Sequence, residues 1–143
     1  MIIYQAQKKE FIQTVRSGGV DDVVHDHFVK KTGHRVSINE LRSWSNSLQH
    51  VANVLDDGAL PDDLSIGVEM FLPQSMKRLA APVAGHGVDD RKRIIIVELK
   101  QWEKAEATEE DGIGISHVGG ANRRLVHPCY QAWSYAAFLM NFN

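Results

Sequence analysis

Apolar residues along this chain follow two different periods, and the change falls near residue 60. Residues 4–16, "YQAQKKEFIQTVR", space their apolar positions as a helix does, and Gly18-Gly19 ends the pattern. Residues 21–31, "DDVVHDHFVKK", open on acids and close on lysines. That order complements a helix dipole, and Gly33 supplies the stop. Ser37-Ile38-Asn39-Glu40 has the spacing of a capping box, with Ser37 as N-cap and Glu40 third in the helix. The helix it opens is predicted to reach Leu55 and to bury Leu41, Trp44, Leu48, Val51 and Leu55. "DDGALPDD" (56–63) is a turn-rich break.

Beyond the break the pattern becomes strand-like. "SIGVEMFLP" (65–73) reads as a strand, and "KRLAAPVAG" (77–85) as a weaker one, because Pro82 cannot donate a ladder hydrogen bond. Residues 86–92 form a hairpin connection to "RIIIVELKQW" (93–102), whose branched aliphatic run suits a central strand buried on both faces. Residues 103–112 are polar, acidic and expected to be mobile. "GIGISHVGG" (112–120) predicts a short strand and a Gly-rich turn, while "VGGANRR" (118–124) reads as a flexible turn without the spacing of a phosphate loop. His127-Pro128 opens a last helix with Pro128 at its first position, and its aromatic content requires packing on the sheet. The order predicts an α/β or α+β sandwich around a small mixed sheet, flanked by helices. A single domain over 1–143 is expected, with a helical part at 1–57 and the sheet and final helix at 64–143. The abrupt end at "MNFN" suggests a piece of a longer protein.

Composition narrows the possibilities. A chain of 143 residues, 43% hydrophobic, suits one core. The net charge of −2 gives no global basic field. Nucleic-acid binding must therefore rest on Lys77-Arg78, Arg91-Lys92-Arg93 and Arg123-Arg124, each of which also reads as ordinary solvated charge. The lone cysteine, Cys129, excludes a disulfide framework and a Cys-type zinc site. It also has no evident base partner to make it a nucleophile. No apolar run has membrane-spanning length and no signal pattern opens the chain, so a cytoplasmic location is expected. His25 and His27 are two apart on a predicted helix and do not share a face. The other histidines are scattered and read as structural or surface groups, His127 also as a helix cap or phosphate contact. Trp44 and Trp133 read as core; Trp102 is equally open to core packing and base stacking.

The chemistry concentrates at the end of the aliphatic strand. Residues two apart on a strand face one side, so Glu98 and Lys100 project together while Leu99 points away. Charges at such a place are costly unless they are paired or bind something. Glu-x-Lys has two uses. One is a plain ion pair. The other is metal-assisted phosphodiester hydrolysis, in which the carboxylate holds Mg²⁺ and the lysine steadies phosphate or water. Gln131 and Tyr135, at i and i+4 on the last helix, share a face and bring polar ends that can reach a phosphate.

With these residues in view, the sequence resembles the PD-(D/E)XK nuclease superfamily, in the Gln-x-x-x-Tyr branch of RecB-type nuclease domains. "VELKQW" with "HPCYQAWSYAAFL", together with "ELRSWSNSL" and "LPQSMKR", is similar to the nuclease-like domain ahead of the helicase module in bacterial Schlafen-like proteins. The resemblance implies a restriction-endonuclease-like sandwich and a metal-dependent nuclease that hydrolyses DNA to leave a 5′-phosphate, with RNA also open. A helicase module, in the same or another chain, is the implied partner. It implies Mg²⁺ or Mn²⁺ at the Glu98 side chain and the Leu99 carbonyl, with Glu69 as a candidate second carboxylate. Lys100 would orient or activate water and stabilise the phosphorane; Gln131 and Tyr135 would position the nucleic-acid backbone or the lysine. Lys77, Arg78, Arg123, Arg124 and Trp102 are the candidate nucleic-acid contacts. One position departs from the family: where an aspartate follows the Lys-Arg pair, this chain has Ala80. Loss of that carboxylate weakens Mg²⁺ binding. The alternative is thus a non-catalytic nucleic-acid-binding or interaction module that keeps the nuclease fold, and a plain Glu98–Lys100 ion pair is the third reading.

Overall fold

The computed structural model describes Met1–Phe142; Asn143, the last residue of the expected domain, lies outside the described residues. The chain forms two compact units, Met1–Val97 and the segment from Glu98 onward. The described residues hold four helices and two antiparallel sheets, an α/β composition.

In the first unit, strand β1 (Ile2–Gln7) runs into helix α1 (Lys8–Arg16), followed by α2 (Val20–Thr32) and α3 (Ile38–Leu55). Strands β2 (Ser65–Phe71), β3 (Arg78–Leu79), β4 (Ala81–His86) and β5 (Lys92–Val97) complete it. The sheet order is β1-β2-β4-β5, with β3 also beside β2. Every pairing is antiparallel, so the expected mixed sheet is corrected. Short turns join β2 to β3 and β4 to β5, and turns of that kind can only reverse a strand.

Residues 4–7 were expected in a helix and instead lie in β1. Tyr4 pairs with Val68 and Ala6 with Ile66, and the exposed Gln5 and Gln7 alternate with them. Pairing with β2 supplies backbone hydrogen bonds that outweigh the local helical preference. The helix starts at Lys8 with no side-chain cap from Gln7, so no local signal marks its true beginning.

Helix α2 buries Val20, Val24 and Phe28 and ends at Gly33 in the left-handed conformation. At the start of α3, the Ser37 side chain accepts from the Glu40 backbone N–H. Trp44, Leu48, Val51, Ala52 and Leu55 are buried on this helix, whereas Leu41 is only half-buried. Ser37→Ala should cost about 1 kcal/mol of unfolding free energy, and Ser37→Asp little, as read by urea titration.

Two polar features of this unit have no sequence signature. Lys8 is 5% exposed. Its Nζ donates to the Leu60 carbonyl at 2.6 Å and pairs with Asp62 at 3.2 Å, fastening the 56–63 break to α1. Asp62 hydrogen-bonds Lys9 as well as Lys8, and these bonds hold its carboxyl below the usual aspartate range. Arg78 pairs with Glu40 and Glu69, each at 2.9 Å, and lies over the rings of Phe28 and Phe71. Glu69 has φ +53, a conformation that costs a non-glycine residue energy and persists where its surroundings fix it. Arg78 and the Trp44 indole, which donates to Glu69 Oε1 at 3.1 Å, supply that fixing.

The β4–β5 hairpin forms where predicted, with Asp89 pairing to Arg93 at 2.8 Å. The aliphatic strand, however, is not buried on both faces. β5 ends the strand order, and Ile94 and Ile95 are exposed. A continuous aliphatic run specifies apolar surface, not the number of layers that cover it.

The second unit contains β6 (Glu106–Ala107), β7 (Ile113–Val118), β8 (Ala121–Val126) and helix α4 (Pro128–Asn141). Residues 121–124, read as part of a flexible turn, belong to β8, which pairs along its whole length with β7. The turn itself is only Gly119-Gly120, both with positive φ, as a two-residue hairpin turn requires. β6, within residues 103–112 that were expected to be mobile, pairs with β7. His127 caps α4 by accepting from the Cys129 N–H, and Pro128 sits in the first turn. Among the described residues, no helix is long and apolar enough to cross a membrane.

Candidate functional site

Four side chains converge within the second unit. The backbone leaves β5 at Val97, and Glu98 and Lys100 follow beyond the end of the ladder. Their spacing still places them together, Lys100 Nζ standing 2.9 Å from Glu98 Oε1. From α4, the Gln131 amide closes the group. Its Nε2 donates to Glu98 Oε1 and to the Tyr135 hydroxyl, both at 2.7 Å, and its Oε1 accepts from Lys100 at 2.9 Å. The one-turn spacing of Gln131 and Tyr135 on α4 makes that double contact possible.

Exposure differs sharply across the cluster. The Glu98 side chain is 7% exposed and that of Lys100 27%, so a ligand arriving from solvent meets the amine first. Glu98 Oε1 is satisfied by both Lys100 and Gln131. Glu98 Oε2 is buried and has no hydrogen-bond partner among the described residues. A buried acceptor left in that state costs about 1–3 kcal/mol. A folded protein ordinarily relieves such a deficit with a bound polar species.

Tyr135 is buried on α4. Burial raises its pKa above the ordinary value of 10.0, the Gln131 hydrogen bond opposes that rise, and the Glu98 charge adds to it. The phenol therefore stays neutral at physiological pH. The unfolded chain loses this proton near pH 10 while the folded chain holds it, so stability contributed here is complete below that pH and lost as pH rises further. Tyr135→Phe should fall less in stability than the parent above pH 10, a difference that thermal melts across alkaline pH will show.

Glu69, Lys77, Arg78 and Ala80 belong to the first unit. Both Glu69 oxygens and the Arg78 guanidinium are committed to the contacts described above, and the Ala80 carbonyl accepts from the Glu69 N–H at 3.0 Å. Leu99 is half-buried. Trp102 is also half-buried, and a Cβ placed on Gly114 of β7 would stand 4.0 Å from its ring. Arg123 and Arg124 are exposed on β8, and Arg124 pairs with Glu110. Trp44 is core, 5% exposed, but Trp133 is 62% exposed, which corrects its expected place in the core. Among the described residues, no three or more histidine, cysteine, aspartate or glutamate side chains group as a metal site. Sequence reasoning missed the pairing of Tyr130 with Trp133 on α4, ring centroids 5.5 Å apart. The i, i+3 spacing of two aromatic residues on α4 was its available signal.

No family model, curated protein or solved structure matches this chain.

Proposed function

We propose that the second unit carries a phosphodiester-engaging site of the PD-(D/E)XK type, on a restriction-endonuclease-like sandwich, and that it hydrolyses DNA with a divalent cation. The observation that carries this reading is the unpartnered Glu98 Oε2, buried beside a lysine that the Gln131 amide holds in place. An ordinary ion pair would not require an amide that bridges both charges and a phenol.

The donor chemistry, tested on these residues, fits Mg²⁺ or Mn²⁺ in a minimal form. All donors are oxygens, and one carboxylate suffices where water and substrate phosphate supply the other ligands. Glu98 Oε2 and the Leu99 carbonyl would hold the ion, which when bound polarises the phosphate and lowers the pKa of water. The protein's own contribution is to fix a cation and two hydrogen-bonding groups ahead of the reaction. Lys100 presents positive charge to the phosphate. Gln131 sets the position of the amine, and the neutral Tyr135 hydroxyl sets that of Gln131.

The test is incubation of the chain with end-labelled single- and double-stranded DNA plus Mn²⁺, with and without EDTA. Metal-dependent 5′-phosphate products support the reading. A second reading is favoured by the lack of a three-residue metal cluster among the described residues and by Ala80 at the expected aspartate position. It is a nucleic-acid-binding module without turnover. Binding that weakens steeply with salt, with no cleavage in any metal, selects it. RNA substrates belong in the same assay, as does an added helicase module.

A further inference from the structure

Strand β5 ends the strand order of the first unit, and it carries isoleucines where edge strands ordinarily carry charge. Lys92, Arg93, Ile94 and Ile95 are all exposed, Ile95 to 63%. The direction of its backbone groups follows from the hairpin. The Gly87 N–H donates to the Arg91 carbonyl at 2.9 Å. Hydrogen-bonded pairs alternate from there along the register with β4, in which Gly85 faces Arg93, Val83 faces Ile95 and Ala81 faces Val97. Residues 93, 95 and 97 therefore turn their backbone groups toward β4, and Lys92, Ile94 and Ile96 turn theirs outward. Pro82, which has no N–H to give, stands opposite Ile96, as this alternation allows.

One face of the strand borders an apolar groove of about 710 Å³. Val83, Ile95 and Val97 line it from the sheet, and Val54, Leu60 and Leu64 from α3 and the 56–64 connection. The groove and the outward backbone groups run along the same strand. An occupant that satisfies both is itself a strand, giving its backbone to the edge and every second side chain to the groove.

The residue pattern of β5 fits a second β5. A two-fold axis perpendicular to the sheet sets the strand antiparallel to its own copy, and opposed residues then face the same side. Outward backbone groups must meet outward ones, so even-numbered residues oppose even-numbered residues. Of the registers this permits, one sets both exposed isoleucines against aliphatic side chains: Ile94 opposite Ile96, and Ile95 opposite Ile95. A slide of two residues one way puts Arg93 opposite Ile95; the other way carries Ile94 past the end of the aliphatic run at Val97. The favoured register also keeps like charges apart. Arg93 falls opposite Val97, so the two copies of Arg93 are separated by roughly 13 Å along the strands, beyond the screening length of about 8–10 Å. The two grooves lie on one side of the joined sheet and meet at Ile95.

We propose that β5 is a homodimerisation edge, through which two copies of this chain join their first-unit sheets in the antiparallel register centred on Ile95. All the residues involved belong to the first unit, so the dimer does not depend on the chemistry proposed for the second.

The experiment is sedimentation velocity of the full chain from roughly 1 μM to 1 mM, joined to oxidative cross-linking of cysteine variants. The parent is expected to pass from monomer to dimer within that range. Ile95→Lys sets two ammonium groups face to face in place of two isoleucines and should weaken the dimer at least about 100-fold. Val88→Lys, on the exposed turn between β4 and β5, should leave it unchanged. Because Ile95 is exposed, circular dichroism melts of Ile95→Lys should match the dilute parent. Cross-linking uses a Cys129→Ser background, which removes the native thiol. There Ile95→Cys should oxidise to a disulfide dimer, because residues opposed at a non-hydrogen-bonded position have Cα atoms about 4.5 Å apart. Ile94→Cys should not, since its own copy stands roughly 8 Å away. A concentration-dependent dimer that Ile95→Lys abolishes and Ile95→Cys traps supports the proposal. A dimer that Ile95→Lys leaves intact, or cross-linking through position 94 and not 95, overturns it. A chain monomeric throughout the range also overturns it and leaves this edge to a strand of another protein.

Discussion

Under the proposed nuclease function, Lys100→Ala is expected to lower divalent-dependent DNA cleavage roughly 100- to 1,000-fold, the scale for removing one preorganised group from developing charge. The amine is fixed by Glu98 and Gln131, each at 2.9 Å, so it spends little reorganisation energy when a phosphate arrives. Lys100→Arg should not rescue, because a planar guanidinium cannot replace a compact ammonium between those two acceptors. The alanine substitution also leaves Glu98 without its cation. Breaking a fully buried pair costs about 3–5 kcal/mol, but Lys100 keeps 27% exposure, and the stability loss should be smaller. Glu98→Gln/Lys100→Met removes both charges and should recover stability without recovering cleavage. Equal initial rates for the parent and Lys100→Ala would rule out a role for this amine in the reaction.

Leu48→Ala is expected to lower the unfolding free energy by roughly 3–5 kcal/mol. Leu48 is 1% exposed on α3, among the buried Trp44, Val51, Ala52 and Leu55. Truncation removes its transfer free energy and leaves a cavity that neighbouring side chains fill only in part. Val54 on the same helix is 71% exposed, and Val54→Ala should change stability by no more than about 0.5 kcal/mol. The contrast is large because domains of this kind are stable by only about 5–15 kcal/mol in total. Urea unfolding of both variants reads it directly, and similar midpoints for the two would contradict the placement of α3.

Much of the local architecture was legible because its signals act within a few residues. The Ser37 cap, the acidic start and Gly33 stop of α2, and Pro128 at the start of α4 all fall where the sequence puts them. The candidate site was legible in part: Gln131 with Tyr135 is fixed by the period of α4, whereas Glu98 and Lys100 were expected on a strand that ends at Val97 and meet just beyond it. Illegible features depend on residues far apart in sequence. β1 becomes a strand only because β2 pairs with it. Residues 121–126 become one because β7 lies alongside. Trp133 reads as core by residue type, yet exposure is set by what else the fold offers to cover it.

The sequence by itself determined where most helices begin, where the β4–β5 chain reverses, and which polar residues share a face. Caps, dipoles, turns and side-chain periods are properties of neighbouring residues, so they survive without knowledge of the rest. Only the tertiary structure decided that Arg78 is drawn between Glu40 and Glu69, that Lys8 is buried against Leu60, and that one Glu98 oxygen is buried with no hydrogen-bond partner among the described residues. Burial and the satisfaction of charge are sums over all surrounding atoms, and those surroundings exist only once the chain has folded.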